Sequence, residues 1–157
     1  MMQAQLYCEH TITPIGLIEV TATKDALVSV YFVEQAREPR TSELTQRAIR
    51  QLDEYFLGQR TDFDLPLNAK GTDFQQGVWH ALCEVHYGVT CNYGDIARKI
   101  DNPKAVRAVG LANSKNPLSV IVPCHRVIGK NGTLTGYAGG VDRKAWLLEH
   151  EKNTLKR

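Results

Sequence analysis

The sequence lacks long apolar runs and any amino-terminal targeting pattern. No stretch approaches the ~20 apolar residues that a membrane-spanning helix requires. Residues 1–9 contain neither a basic segment nor an apolar one, so nothing signals secretion. We therefore expect a cytoplasmic protein without a membrane partner. Hydrophobic residues at 43% and charged residues at 23% of the 157 positions also exclude a disordered or fibrous chain.

The spacing of cysteine and histidine does not suit a metal site. The four cysteines include no Cys-x-x-Cys pair, and the five histidines have no regular ligand spacing, so we expect no bound metal. An even number of cysteines allows two disulfides. Reduced thiols are nevertheless favoured, because the chain has no secretory signal and is long enough to bury a core without cross-links.

Positive and negative charges are unevenly distributed along the chain. Residues 1–97 carry a net charge of −6 and residues 98–157 carry +8, for a total of +2. A basic second half is typical of a protein that binds a polyanion. It is equally compatible with an ordinary solvated surface.

The first third of the chain predicts a hairpin followed by a helix. Apolar alternation over 17–22 and a β-branched run over 27–33 flank a turn at 23–26, which favours two antiparallel strands. Apolar residues at four-residue spacing then predict a helix over 44–56 that stops at Gly58.

Glycine and proline over 58–71 indicate a connector, and we place a domain boundary there. The expected domains are 1–71 and 72–157. Because the second is predicted to be mostly helical, the fold class is α+β, a small antiparallel sheet with a helix followed by a helical domain.

Two short helices in the second half have the shape of a helix-turn-helix. Residues 73–76 resemble a capping box and begin one helix, and a shorter helix is predicted over 93–100. Residues 101–102 then offer an N-cap and Pro103 suits the first position of another helix, which should run to about Asn113. A three-residue break between the last two helices gives the motif.

The second helix of this pair has one face that suits nucleic acid. Small residues would let its backbone approach a duplex, and cations would neutralise phosphate. The face comprises Lys104, Arg107, Ala108 and Leu111. The alternative is a helix pair that merely packs, which is the commoner occurrence.

A strand and a glycine-rich loop are predicted before the last helix. Residues 118–122 are strongly β-prone and stop at Pro123. Five of the 12 glycines lie between 129 and 140. Asp142 can cap a helix that extends through about Glu151.

Cys124 follows Pro123 directly and is a candidate nucleophile. A thiolate is favoured by a basic neighbour or a cation, and His125 and Arg126 are adjacent in sequence. The alternative is a buried, inert cysteine.

Glu151 is a candidate partner for the imidazole. Leu147 and Leu148 lie one turn before it, so its carboxylate projects from an apolar face and needs a partner. With His125 it would form a relay in which the carboxylate orients the imidazole and the imidazole takes the thiol proton. The alternative is a frayed helix end with the carboxylate in water.

Several motifs, in order over about 72–151, resemble the O6-alkylguanine-DNA alkyltransferases, most of all the bacterial constitutive Ogt-type enzymes, which lack an appended regulatory domain. They are Asn116-Pro117, Pro123-Cys124-His125-Arg126-Val127, Gly136-Tyr137-Ala138-Gly139-Gly140 and Leu147-Leu148-Glu149-His150-Glu151. The first half is compatible with the family's ribonuclease H-like domain.

The resemblance implies a single-turnover DNA repair enzyme, a methylated-DNA–protein-cysteine S-methyltransferase without a cofactor. Cys124 would accept the alkyl group irreversibly, with His125 as the base, linked through a water to Glu151. Asn116 would orient the imidazole and the thiolate. Tyr93 would contact the lesion base and the adjacent phosphate.

The resemblance also implies a pocket for the damaged base. The backbones of Cys124 and Val127 would accept from the guanine amino group, and the Ala138 N–H would face O6. Tyr137 would wall the pocket. Asn113 stands at a pocket-wall position where other members have a larger apolar residue.

The implied partner is double-stranded DNA containing O6-alkylguanine, with no obligate protein partner. Arg107 would fill the space left by the extruded base. The family's recognition helix enters the minor groove, which would suit Ala108 and the sparse polar side chains better than base-edge readout would. Lys104 would contact the DNA as well. Ligands for the zinc that some relatives carry are not evident.

Two other functions compete with this reading. A lesion-binding module without transfer would carry a different residue at position 124. A thiol hydrolase or peroxidase unrelated to DNA would not need the basic second half or Arg107.

Overall fold

The computed structural model describes residues 5–137 and 139–156. The chain forms two compact units, one ending at Lys70 and the other beginning at Gly71.

The amino-terminal unit contains a three-stranded antiparallel sheet. Its strands are β1 (Tyr7–Thr13), β2 (Gly16–Ala22) and β3 (Leu27–Val33), in the order β1-β2-β3. The predicted hairpin is confirmed, and Thr23 donates to the Ala26 carbonyl across its turn. Strand β1 was not predicted because polar residues occupy most of its positions, so it shows no apolar alternation.

One helix covers a face of this sheet. Helix α1 (Glu43–Phe56) begins at a capping box in which Ser42 and Thr45 satisfy each other's backbone N–H groups. Ala48 and Leu52 are fully buried, as expected for the inward face of an amphipathic helix. Gly58, at φ 76°, follows the end of the helix in the conformation that favours glycine.

Helices dominate the carboxy-terminal unit. They are α2 (Asp73–Leu82), α3 (Tyr93–Lys99), α4 (Val106–Ser114) and α5 (Val141–Leu155), with a short parallel pair, β4 (Cys91–Asn92) and β5 (Val127–Ile128). Helices α2, α3 and α4 pack on one another. The Trp79 indole donates to the Ala112 carbonyl at 2.9 Å and ties α2 to the end of α4. No helix of the described residues is long and apolar enough to cross a membrane.

Three predicted helix starts are corrected by the structure. The capping box of α2 uses Thr72, one residue before the predicted Asp73. Helix α4 begins at Val106 and not at Pro103, and no side chain caps it. Asp101 in a left-handed conformation and the hydrogen bond from the Asn102 N–H to the Ala97 carbonyl instead close the end of α3. The break after α3 is therefore longer than three residues.

The third correction concerns α5. Its N-cap is Gly140, at φ 95°, and no side chain caps the helix. Asp142 lies inside the first turn, where its charge still faces the positive end of the helix dipole favourably.

The predicted strand over 118–122 is wrong, since this segment forms a series of buried turns. Asn116 is the physical reason. Its Oδ1 accepts from the Leu118 N–H at 3.0 Å and its Nδ2 donates to the Val122 carbonyl at 2.9 Å. Val120 adopts φ 71° within the loop. A local side-chain network thus outweighs the β propensity of the sequence.

Candidate active site

Cys124 lies at the start of a 3-10 turn (Cys124–Arg126) and is only 1% exposed. Asn116 Nδ2 donates to Cys124 Sγ at 3.2 Å, so the side chain that shapes the preceding loop also contacts the sulfur. Burial raises the pKa of Cys124 to about 11, although the Asn116 hydrogen bond and the charge of Lys144 oppose that rise. The thiol is therefore protonated at neutral pH.

His125 contacts Glu151 directly, with 2.7 Å between Nε2 and Oε2, and both side chains are fully buried. The expectation of a water between them is wrong. Burial alone would raise the pKa of Glu151, but hydrogen bonds and charges from His125 and Arg126 hold that pKa well below its usual range. An ionised Glu151 only accepts, so the imidazole hydrogen lies on Nε2.

The other imidazole nitrogen, Nδ1, is a potential base. Burial lowers the pKa of His125, which keeps the ring neutral at pH 7. Nδ1 has no hydrogen-bond partner among residues 5–137 and 139–156, and no direct hydrogen bond joins it to Cys124 Sγ within that part of the chain. The ring thus offers a lone pair that is free to take a proton.

Glu151 is held by a cage of donors that sequence reasoning missed. Arg126 Nε donates to Oε1 at 2.9 Å, Arg126 Nη2 to Oε2 at 3.0 Å, and the Gly88 N–H to Oε1 at 3.0 Å. Arg126 also donates to the Val85 carbonyl at 2.7 Å. Arg126, the cation expected to favour the Cys124 thiolate, therefore pairs with the Glu151 carboxylate instead. No sequence pattern indicated that the Gly88 backbone would contact Glu151.

Lys144 was also missed. It is fully buried, its Nζ donates to the Thr135 carbonyl at 2.6 Å, and the Tyr93 hydroxyl donates to the same oxygen at 3.0 Å. Burial lowers the pKa of Lys144, while the nearby Cys124 opposes that shift. One signal was present: Lys144, Leu147 and Glu151 recur at helical spacing on one face.

The predicted pocket residues lie around Cys124. The ring of Tyr137 stands edge-on to His125, with 6.5 Å between ring centroids, and Val127 is fully buried. Asn113 Nδ2 donates to the Cys124 carbonyl at 3.3 Å. Ala138, predicted to face O6, lies outside the described residues.

The outer face of α4 is separate from this cluster. Arg107, Ala108 and Leu111 are exposed on this face, whereas Val109 and Ala112 are buried. Lys104, predicted to lie on the same helix, is exposed but stands in the turn before α4 begins. No carboxylate of the described chain pairs with Lys104 or Arg107. The face is therefore positively charged and uncompensated.

The cysteines and possible metal ligands are dispersed. All four cysteines are free thiols. In the portion of the chain that the structure describes, no group of three or more His, Cys, Asp or Glu side chains could hold a metal ion.

Comparison with known families covers nearly the whole chain. Residues 73–153 match the DNA binding domain of 6-O-methylguanine DNA methyltransferase, and residues 6–69 match its ribonuclease-like domain. The chain belongs to the O6-methylguanine-DNA methyltransferase family. The family and the α+β fold class indicated by the sequence motifs are confirmed.

Individual members of the family support the same assignment. A methylated-DNA–protein-cysteine methyltransferase of Mycobacterium tuberculosis is 48% identical over 147 residues, 90% of this chain and 89% of that protein. One of Methanosarcina mazei is 46% identical and covers 92% of this chain and 96% of its own.

Solved structures agree. The M. tuberculosis O6-methylguanine methyltransferase aligns with a TM-score of 0.88 at 44% identity, covering 96% of this chain and 94% of that one. The M. tuberculosis OGT structure in complex with DNA aligns with a TM-score of 0.85 at 46% identity, over 92% of each chain.

Proposed function

We propose that this chain repairs O6-alkylguanine in double-stranded DNA by moving the alkyl group to its own Cys124. One observation carries the proposal: Cys124 Sγ is buried beside Asn116, and the adjacent imidazole is neutral, fixed by Glu151, and has its Nδ1 unoccupied. The enzyme class is that of the named relatives, a methylated-DNA–protein-cysteine methyltransferase.

The reaction begins with removal of the thiol proton. Because the pKa of Cys124 is about 11, the thiol needs a base when the substrate is in place. His125 Nδ1 is that base, and a bridging water carries the proton because the two groups share no direct hydrogen bond. Glu151 stabilises the imidazolium that forms. It does not take the proton, because Arg126 and Gly88 hold it as a carboxylate.

The transfer is a single displacement at the alkyl carbon. A bond forms between Sγ and that carbon as the bond from the carbon to guanine O6 breaks, and the electron pair leaves with O6. The positive imidazolium balances the negative charge that develops on the departing guanine. The guanine anion then takes up the proton that came from the thiol, which leaves a neutral base and a neutral imidazole. Asn116 Nδ2 stabilises the sulfur as it becomes a thiolate. The resulting thioether does not regenerate the thiol, so each chain acts once.

The pocket positions the base for this step. The Tyr93 hydroxyl, which now donates to Thr135, turns to the guanine as negative charge develops. The Val127 backbone accepts from the amino group, and Tyr137 walls the pocket. The Cys124 carbonyl is a less suitable acceptor than the sequence implied, because Asn113 and the Val127 N–H already donate to it.

Helix α4 supplies the contact with duplex DNA. Arg107 on the helix and Lys104 just before it neutralise phosphate, and Ala108 lets the helix backbone enter the minor groove. Arg107 fills the gap that the extruded nucleotide leaves in the base stack. Such a protein works where the cell keeps its DNA, and we propose a cytoplasmic location.

Intact-mass measurement after incubation with duplex O6-methylguanine DNA tests the proposal. The expected result is the mass of one methyl group added per chain, located on the Cys124 peptide. Binding without a mass change would indicate a lesion-recognition module. Neither binding nor mass change would indicate a thiol enzyme unrelated to DNA.

A further inference from the structure

A second buried polar atom near Cys124, besides His125 Nδ1, has no hydrogen-bond partner among the residues that the structure describes. Asn113 lies in the last turn of α4 and is 1% exposed. Its Nδ2 donates to the Cys124 carbonyl, but its Oδ1 has no hydrogen-bond partner within the described chain. A buried carbonyl oxygen without a donor is costly, so an atom of this kind beside a reacting residue points to a ligand that supplies one.

Of the two neighbouring acceptors at this place, only Asn113 Oδ1 is unfilled. The Cys124 carbonyl already accepts from Asn113 Nδ2 and from the Val127 N–H, which occupies both of its lone pairs. Because both amide atoms of Asn113 share one carbon, Oδ1 also lies next to the Cys124 backbone.

The chemistry of the lesion limits which donor could reach this oxygen. Alkylation at O6 removes the hydrogen from N1 of guanine, so the exocyclic 2-amino group is the only N–H donor left on the base. Methyl, ethyl and benzyl groups carry no donor. We propose that Asn113 Oδ1 accepts a hydrogen bond from this amino group and thereby selects alkylated guanine over alkylated bases that lack it. The inference rests on the proposed function.

Access to Asn113 comes with access to the sulfur. Cys124 is as deeply buried as Asn113, so no base reaches Sγ until the pocket opens. The two residues are in hydrogen-bond contact, and an opening that admits the alkyl carbon to Sγ therefore brings an edge of the base against Asn113.

The test compares two substrates in two variants. Matched duplexes carry O6-methylguanine or O6-methylhypoxanthine, which differ only in the 2-amino group, and the single-turnover rate of methyl transfer to Cys124 is measured. The wild type should prefer O6-methylguanine by roughly 5- to 20-fold or more, since one hydrogen bond to a buried group has an effect of this size. Asn113→Leu should lower the ratio by roughly that factor, leaving the part of the preference that the Val127 carbonyl contributes. Asn113→Asp, which keeps an acceptor oxygen, should retain the preference even if both rates fall.

The ratio separates selectivity from folding, because a loss of active protein lowers both rates equally. An unchanged ratio in Asn113→Leu, or a wild-type ratio of one, would overturn the inference while leaving the proposed function standing. Absence of transfer from both duplexes in the wild type would overturn the proposed function itself.

Discussion

Charged side chains are buried and paired in the cluster around Cys124, whereas they are exposed and unpaired at the outer face of α4 within the described residues. In the cluster, His125, Arg126 and Glu151 are buried and hydrogen-bonded to one another. Arg107 on α4 and Lys104 just before it are exposed and have no carboxylate partner within the described chain. The first arrangement suits chemistry, since buried polar groups are rigidly oriented, and the second suits a polyanion. The difference implies that transfer and DNA binding can be lost independently.

Replacing Cys124 should separate alkyl transfer from DNA binding more completely than any other change. Cys124→Ala should abolish transfer, because no other group accepts the alkyl carbon, while affinity for alkylated duplex stays within about twofold because α4 keeps its charges. Mass spectrometry and fluorescence anisotropy measure the two properties. Loss of both would show that the regions are not independent.

Removing the charge of Glu151 should damage the buried cluster next most severely. Glu151→Gln leaves Arg126 buried without its anion, which should lower the free energy of unfolding by about 3–5 kcal/mol. It should also slow transfer by about 100-fold, because the imidazole loses its counter-charge. Glu149→Gln, on the exposed side of α5, is the matched control and should change neither property.

The same pair of variants gives a pH test. Because the pKa of Glu151 is depressed in the folded chain, its stabilisation is present above the unfolded value of ~4.3 and is lost as pH falls below it. Wild type and Glu149→Gln should lose this increment in urea titrations at acid pH. A Glu151→Gln chain with the same acid dependence would contradict the assignment.

The raised pKa of the Cys124 thiol should make the free energy of unfolding depend on pH in the alkaline range. Its pKa is raised from 9.0 to about 11, so its stabilisation is present below the unfolded pKa and is lost as pH rises toward 11, about 2–3 kcal/mol in all. Unfolding free energies of wild type and Cys124→Ala, compared between pH 7 and 11, should converge by this amount. A constant difference would mean that the thiol ionises normally.

Arg107→Ala tests the exposed face. Repair of duplex should slow about tenfold, since the vacated stack is left unfilled, whereas transfer from free O6-benzylguanine should change less than twofold. Single-turnover rates on both substrates decide the matter. Equal losses on both substrates would show that Arg107 acts in the transfer step itself, and the exposed face would then not be limited to DNA binding.

The smallest effect is expected at Lys104. Lys104→Gln should reduce the slope of log affinity against log salt by about one, with only a few-fold loss of affinity. Lys152→Gln, an exposed lysine on α5, should leave the slope unchanged. A similar reduction in both variants would argue for diffuse attraction instead of a phosphate contact at α4.

Sequence patterns predicted those elements and side-chain positions that depend on interactions between residues close together in the chain. The hairpin, α1 and the exposed face of α4 follow from periodicity, and Cys124, His125 and Glu151 were identified from motif and helix spacing. The segment 118–122 does not form the strand that its β propensity predicts, because one side chain, Asn116, supplies hydrogen bonds to its backbone. Arg126 and Gly88 meet at Glu151 across 25 and 63 residues, and no local pattern encodes such a meeting.

A graded titration measures how many methyl groups one chain accepts and which cysteine carries them. Duplex carrying radiolabelled O6-methylguanine is added in increasing amounts to a fixed quantity of the chain, and the label is counted on isolated cysteine peptides. The account predicts a linear rise to one methyl group per chain, all on the Cys124 peptide, and then a plateau. Label on Cys8, Cys83 or Cys91, or continued transfer beyond one equivalent, would contradict it.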